Sequence, residues 1–115
     1  MSIGGVSIAG LSGIVGNPRR PWRRTDDDYA DTLSLLLCTQ PAITLLHDGP
    51  DVPIRGFRGS PRIRGVLEEH GLGQSDNTLV VRGHSHWDEP LAELECGTQV
   101  LNVDARVVIL TEKET

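Results

Sequence analysis

Residues 42–46 read AITLL, residues 78–81 read TLVV, and between them SPRIRGVLEEHG runs from Ser60 to Gly71. Each flanking run is apolar without interruption and of strand length, the pattern of a parallel strand buried on both faces. Ser60 supplies a capping hydroxyl and Pro61 a first helical position that needs no N–H. Ile63, Val66, Leu67 and His70 then fall on one helical face, and Gly71 stops the helix. Strand, helix and strand form a βαβ unit, and such a crossover makes the two strands parallel. Parallel strands finish on the same sheet edge. His47 directly follows the first strand, and Arg82-Gly83-His84 ends the second. In open α/β sheets that edge is where ligands bind, so His47 and His84 are expected to converge there.

His86 adds a third imidazole. Ser85 is small, and Gly83 allows the backbone to turn sharply off the strand. A His-x-His pair can serve one metal or two adjacent ones, and neutral imidazole is a ligand for zinc, iron, nickel and, at mixed sites, manganese. Asp48, Asp51, Asp88 and Glu89 follow these histidines closely. A lone histidine at a strand end reads as a polar surface or capping residue. Corresponding positions at both strand ends of one unit are what point to a metal site. His70 has no such partner and reads as structural, or as a cation near a helix C-terminus.

Upstream, Val6 to Leu11 (VSIAGL) reads as a further strand bounded by glycines, and Gly13 to Arg24 as a loop punctuated by Gly16, Pro18 and Pro21. Thr25 caps a second helix, with Asp28 in the capping-box position and three aspartates at the positive end of the dipole. Tyr29, Leu33, Leu36 and Leu37 share its apolar face, and Pro41 closes it. Downstream, Leu91 to Leu94, Thr98 to Val103 and Ala105 to Leu110 read as short strands in antiparallel hairpins. The expected fold is one α/β domain over residues 1–115, a mixed sheet built on the βαβ unit with antiparallel strands at the C-terminal end. Trp22 and Trp87 read as partly buried, or as packing over the mouth of a site at that edge.

The formal net charge is −5, which argues against a general nucleic-acid or membrane-surface binder. The basic residues are concentrated locally: Arg19, Arg20, Arg23 and Arg24 stand together just before Asp26, Asp27 and Asp28. These arginines could contact a phosphorylated substrate, because guanidinium matches phosphate oxygens in bidentate fashion. The alternative is a solvated loop balanced by the aspartates. Cys38 and Cys96 have no metal or disulfide spacing and read as small buried apolar residues in a cytoplasmic, reducing compartment. No apolar run reaches membrane-spanning length, and the N-terminus lacks a signal peptide's charged region.

The segments LLHDGPD (Leu45 to Asp51), VVRGHSHWDEPL (Val80 to Leu91) and QVLNVDARVVIL (Gln99 to Leu110) together resemble the last blocks of the calcineurin-like metallophosphoesterases. GFRGSPRIR (Gly56 to Arg64) resembles the loop-to-helix step of one bacterial branch. In that family an isolated His follows a buried strand and a GHxH motif comes later, matched here by His47 and by Gly83-His84-Ser85-His86. The resemblance implies half of a double-sheet sandwich and a centre of two divalent ions, manganese, zinc or iron. His47 and His84 would bind one ion and His86 the other; Asp48, Asp51 and Asp104 are candidates to orient the rings, the alternative for each being a plain loop or turn carboxylate. The family's early motifs, DxH, GDxxD and GNHE, are absent, so no catalytic residue is assigned to this chain. The expectation is a phosphoesterase half-domain, inactive alone and holding one ion at most. An N-terminal half, a partner subunit or a second copy would cover its exposed sheet edge. The alternatives are a non-catalytic metal- or phosphate-binding regulatory module and a purely structural α/β domain.

Overall fold

The computed structural model describes residues 2–74 and 77–111. Its main element is a mixed six-stranded sheet in the order β1-β2-β5-β6-β8-β7. In chain order these strands are β1 (Ser2–Ile3), β2 (Val6–Leu11), β5 (Ile43–Leu46), β6 (Leu79–Arg82), β7 (Leu91–Glu93) and β8 (Gln99–Asn102). β2, β5, β6 and β8 are mutually parallel, while β1 and β7 are antiparallel edge strands. Helix α1 (Asp26–Leu37) connects β2 to β5, and α2 (Pro61–Gly71) connects β5 to β6. Both crossovers step the same way along the sheet. With right-handed connections, both helices therefore lie on one face.

That geometry explains the burial. Side chains alternate across a strand, so Thr44 and Leu46, Val80 and Arg82, and Val100 and Asn102 point to the helix side, and all are buried. The apolar ones, Leu46, Val80 and Val100, share one core with Tyr29, Leu33 and Leu37 of α1 and Ile63, Val66 and Leu67 of α2. The caps form as the sequence requires: Thr25 accepts the Asp28 N–H at 3.1 Å, and Ser60 accepts the Ile63 N–H at 3.1 Å.

The opposite face is only partly covered, against the expectation that Ala42–Leu46 is buried on both sides. Leu45 is 45% exposed, and in register it meets Gly10 on one side and Val81 on the other. Val81 neighbours Leu101, which neighbours Leu91, itself 46% exposed. Parallel sheets ordinarily carry cover on both faces. Here the second face is covered only in part: Leu101 is 8% exposed, whereas Leu45 and Leu91 face outward.

Three further differences have local causes. Residues 13–24 are not bare loop: β3 (Ile14–Val15) and β4 (Arg23–Arg24) pair in parallel as a separate two-stranded ribbon. The expected hairpin at the C-terminal end exists as β7–β8, but β8 also pairs with β6 and so belongs to the parallel body of the sheet. Ala105–Leu110 forms no strand: a turn at Asp104–Ala105 leads it away from the ladder, and Val107, Ile109 and Leu110 are exposed. Of the cysteines, Cys96 is half-buried beside Thr98, whereas Cys38 is exposed at the end of α1.

Within α2, Gly65 is exposed and a methyl group there meets nothing within 4 Å. Gly65→Ala is expected to stabilise the fold by about 0.5–1 kcal/mol, because glycine in a helix interior carries an entropic penalty of that size. A higher urea midpoint at unchanged slope is the readout. An unchanged or lower midpoint would contradict it.

Candidate metal and phosphate site at the strand ends

His47 leaves the end of β5 and His84 the end of β6, one residue past Gly83. Their rings converge, with centroids 5.5 Å apart and planes tilted by 47°. The adjacent strand ends are held in step: the Gly83 N–H donates to His47 O at 3.2 Å, and the His47 N–H to Leu11 O at 3.5 Å. Two imidazoles on one tetrahedral zinc, with Zn–N near 2.0–2.1 Å, place their centroids roughly 5 Å apart. The observed pair therefore fits two ligands of one ion. Both rings are exposed.

His86 lies apart from this pair in its bonding. Its Nδ1 is 3.7 Å from Asp104 Oδ2 and 3.4 Å from Asp104 O. Among the described residues, no three His, Cys, Asp or Glu side chains are gathered as a metal-holding group. The structure thus brings two of the three candidate histidines together and pairs the third with a carboxylate.

The other two candidate carboxylates are engaged elsewhere. Asp48 is buried; its Oδ2 accepts the Val15 N–H at 3.1 Å and its Oδ1 the Gly49 N–H at 2.8 Å. It ties the β3–β4 ribbon to the residue after His47 and contacts no imidazole in the hydrogen-bond network. Asp51 accepts Arg64 Nε at 2.6 Å, and that bond raises the already high Arg64 pKa. Of the three, only Asp104 reaches a histidine.

A cleft of about 410 Å³ opens beside the histidine pair, walled by Gly13, Ile14, Trp22, Arg23, His47 and His84. Arg23 is therefore the candidate arginine that shares the cavity with the imidazoles. Arg24 does not line the cleft; its guanidinium is engaged, donating Nε to Ser12 O at 3.0 Å and Nη1 to Asp28 at 3.1 Å. Arg19 and Arg20 are exposed at the tip of the ribbon. Two of the four non-glycine residues with left-handed backbone among the described residues line the cleft. Trp22 sits at φ 64° and His84 at φ 70°. Left-handed backbone is unusual for a bulky residue and costs on the order of 1–3 kcal/mol each, which surrounding bonds must sustain.

Around His84 the supporting bonds come from residues with no ligand pattern of their own. Arg82 is completely buried on the helix side of β6. Its Nη1 donates to Pro50 O at 2.7 Å and to Arg58 O at 3.2 Å, and Nη2 donates to Gly83 O at 2.7 Å. Burial pushes its pKa down, and Asp48, Tyr29 and Asp104 push it back up. The guanidinium carbon lies 4.9 Å from the centre of the Trp87 ring. Trp87 is 1% exposed, stacks on Phe57 at 4.8 Å and donates Nε1 to Arg58 O at 2.8 Å. It packs beneath the loops; Trp22, 82% exposed, is the tryptophan at the mouth. Asn102, also fully buried, donates Nδ2 to Ser85 O at 2.6 Å and clamps the His84–His86 turn. Tyr29 donates to Asp48 O at 3.5 Å; burial first, then Asp48, pushes its phenol well above the usual range. The available signal was parity: Arg82 and Asn102 share the strand face of Val80 and Val100.

Compared with known proteins, the chain matches no family model, no curated protein and no solved structure. Among the described residues no helix is long and apolar enough to cross a membrane.

Proposed function

We propose that this chain is the metal- and phosphate-binding part of a metal-dependent phosphoesterase, active only with an N-terminal half or partner subunit. The observation that carries the reading is the 5.5 Å approach of His47 and His84 at the ligand-binding edge of adjacent parallel strands. The GHxH resemblance, the absence of DxH, GDxxD and GNHE, and the exposed apolar side chains of Leu45 and Leu91 all agree with a site completed from outside.

The residues divide the work as follows. His47 and His84 would hold one divalent ion, and His86, oriented by Asp104, would face a second brought by the completed site. When bound, such ions polarise a phosphate ester and lower the pKa of attacking water. Arg23 offers a guanidinium fork to phosphate oxygens at the same cleft. Asn102 and Arg82 fix the turn and loops on which the ligands stand.

Zinc or manganese titration tests this directly. His47→Ala and His84→Ala are each expected to weaken binding by at least about 100-fold, past the range typical for losing a residue that merely orients a ligand. Because only the folded state carries the site, excess metal is expected to raise the melting temperature and EDTA to reverse it. Metal that leaves the melting temperature unmoved counts against the reading. Phosphodiester hydrolysis is expected only once a segment bearing the early motifs is supplied. Metal binding with no turnover in a stable complex with that segment favours the non-catalytic module, which the exposed pair and its adjoining arginine also suit.

A further inference from the structure

Trp22 has features that a solvated loop does not require. Its indole is 82% exposed, its backbone is left-handed at φ 64°, and it forms one wall of the cleft that holds His47, His84 and Arg23. Two arrangements fix this conformation. Trp22 O accepts the Ile14 N–H at 2.9 Å, and Arg24 O accepts the Gly16 N–H at 2.8 Å, closing the β3–β4 ribbon on either side of Arg23. Gly13, at φ +91°, brings the ribbon close: a methyl group there would lie 3.1 Å from Trp22 O. The ribbon is then anchored through Val15 to the buried Asp48, directly after His47. A rigid bracket thus holds a flat, solvent-facing ring next to a guanidinium and two imidazoles. A wet aromatic face over a cleft, beside a phosphate-matching arginine, is the arrangement that stacks a flat ring while its phosphate is gripped.

We infer that Trp22 is a specificity-determining stacking platform, and that the phosphate ester bound at this site carries a planar aromatic group such as a nucleobase. This rests on the phosphoesterase reading of the cleft, with Arg23 and the histidine pair taking the phosphate and Trp22 the ring. A mononucleotide is the simplest such ligand; the net charge of −5 sets it apart from a nucleic-acid strand, which needs a broad basic surface.

The test compares adenosine 5′-monophosphate with ribose 5-phosphate, which share the phosphate and differ in the base. Calorimetric titration of the full chain in the presence of zinc is expected to show the nucleotide binding about tenfold more tightly, the increment of one stacked base. Trp22→Ala is expected to lower nucleotide affinity to that of the sugar phosphate and leave the latter unchanged. Trp22→Phe should keep most of the preference, and Arg23→Ala should weaken both ligands alike. Because the indole is exposed, circular dichroism of Trp22→Ala should match wild type. Equal affinities in the wild type, a uniform loss in Trp22→Ala, or no nucleotide binding at millimolar concentration overturns the inference. Zinc binding is measured separately. If zinc binds through His47 and His84 and the base preference is missing, the stacking role fails alone. If base preference persists without histidine-dependent zinc binding, the metal reading fails alone.

Discussion

Arg82→Ala is expected to lower the unfolding free energy by roughly 4 kcal/mol, among the largest losses any single side chain here can produce. The guanidinium is fully buried, and its nitrogens serve the carbonyls of Pro50, Arg58 and Gly83. Truncation strands these oxygens in the interior at about 1–3 kcal/mol each and leaves a cavity beneath Trp87. One effect opposes this: the burial that depresses the Arg82 pKa is itself unfavourable, and removing the charge relieves it. The carbonyls decide the sign, because among the described residues no carboxylate lies within ion-pair distance of Arg82. Asp48, Tyr29 and Asp104 favour the charge from a distance, but the groups in direct contact with it are oriented carbonyl dipoles, and those lose their partner when it goes. Arg82→Lys keeps the charge but not the fork, so it should recover only part of the loss. Urea unfolding followed by far-ultraviolet circular dichroism gives all three values. A loss under about 1 kcal/mol in Arg82→Ala would mean that water satisfies the carbonyls, and that the loops bearing Pro50, Arg58 and Gly83 are held by something else.

The frame of the site was legible because its signals are local. A capping serine followed by proline, a helical apolar face and two apolar runs fix α2 between β5 and β6 without reference to the rest of the chain. Parallel pairing then places His47 beside His84 with no further information. What was not legible depends on contacts across the fold. A continuous apolar run such as residues 42–46 suits a doubly covered strand, yet whether both covers exist depends on how many helices the chain supplies and on which side they land. Both helices fall on one side, so Leu45 faces outward. Ala105–Leu110 has strand composition but no free sheet edge beside it, since β8 already lies between β6 and β7. Asp48 follows His47 and so read as a partner for its ring. Its carboxylate instead satisfies the N–H groups of Val15 and Gly49, a choice set by a ribbon whose pairing joins residues too short and too polar to announce a strand.

Gly59→Ala should be the second severe change, costing roughly 3 kcal/mol, at the upper end for overpacking a well-packed site. A methyl group at residue 59 would lie 2.3 Å from Pro50 O, 2.4 Å from Pro50 C and 2.5 Å from Asp51 N. All three are backbone atoms, so no side chain can swing away to make room. The segments must part, and that breaks the bridge between Pro50 and Ser60 and strains the bond from Ser60 N to Gly49 O, now 2.8 Å. Ser60 is also the cap of α2, so the disturbance enters the helix start. Pro50 O is at the same time an acceptor of Arg82, so the displacement reaches the buried guanidinium and, through Asp48 and Gly49, the residue that carries the first imidazole. A fall in melting temperature of roughly 10 °C or more is therefore expected, together with about tenfold weaker histidine-dependent zinc binding. Gly65→Ala is the internal control, since the same methyl group added in open space should raise stability. If Gly59→Ala melts with the wild type and binds zinc equally well, the loop after β5 yields freely, and the position of His47 is not set by the close approach of residues 50 and 59.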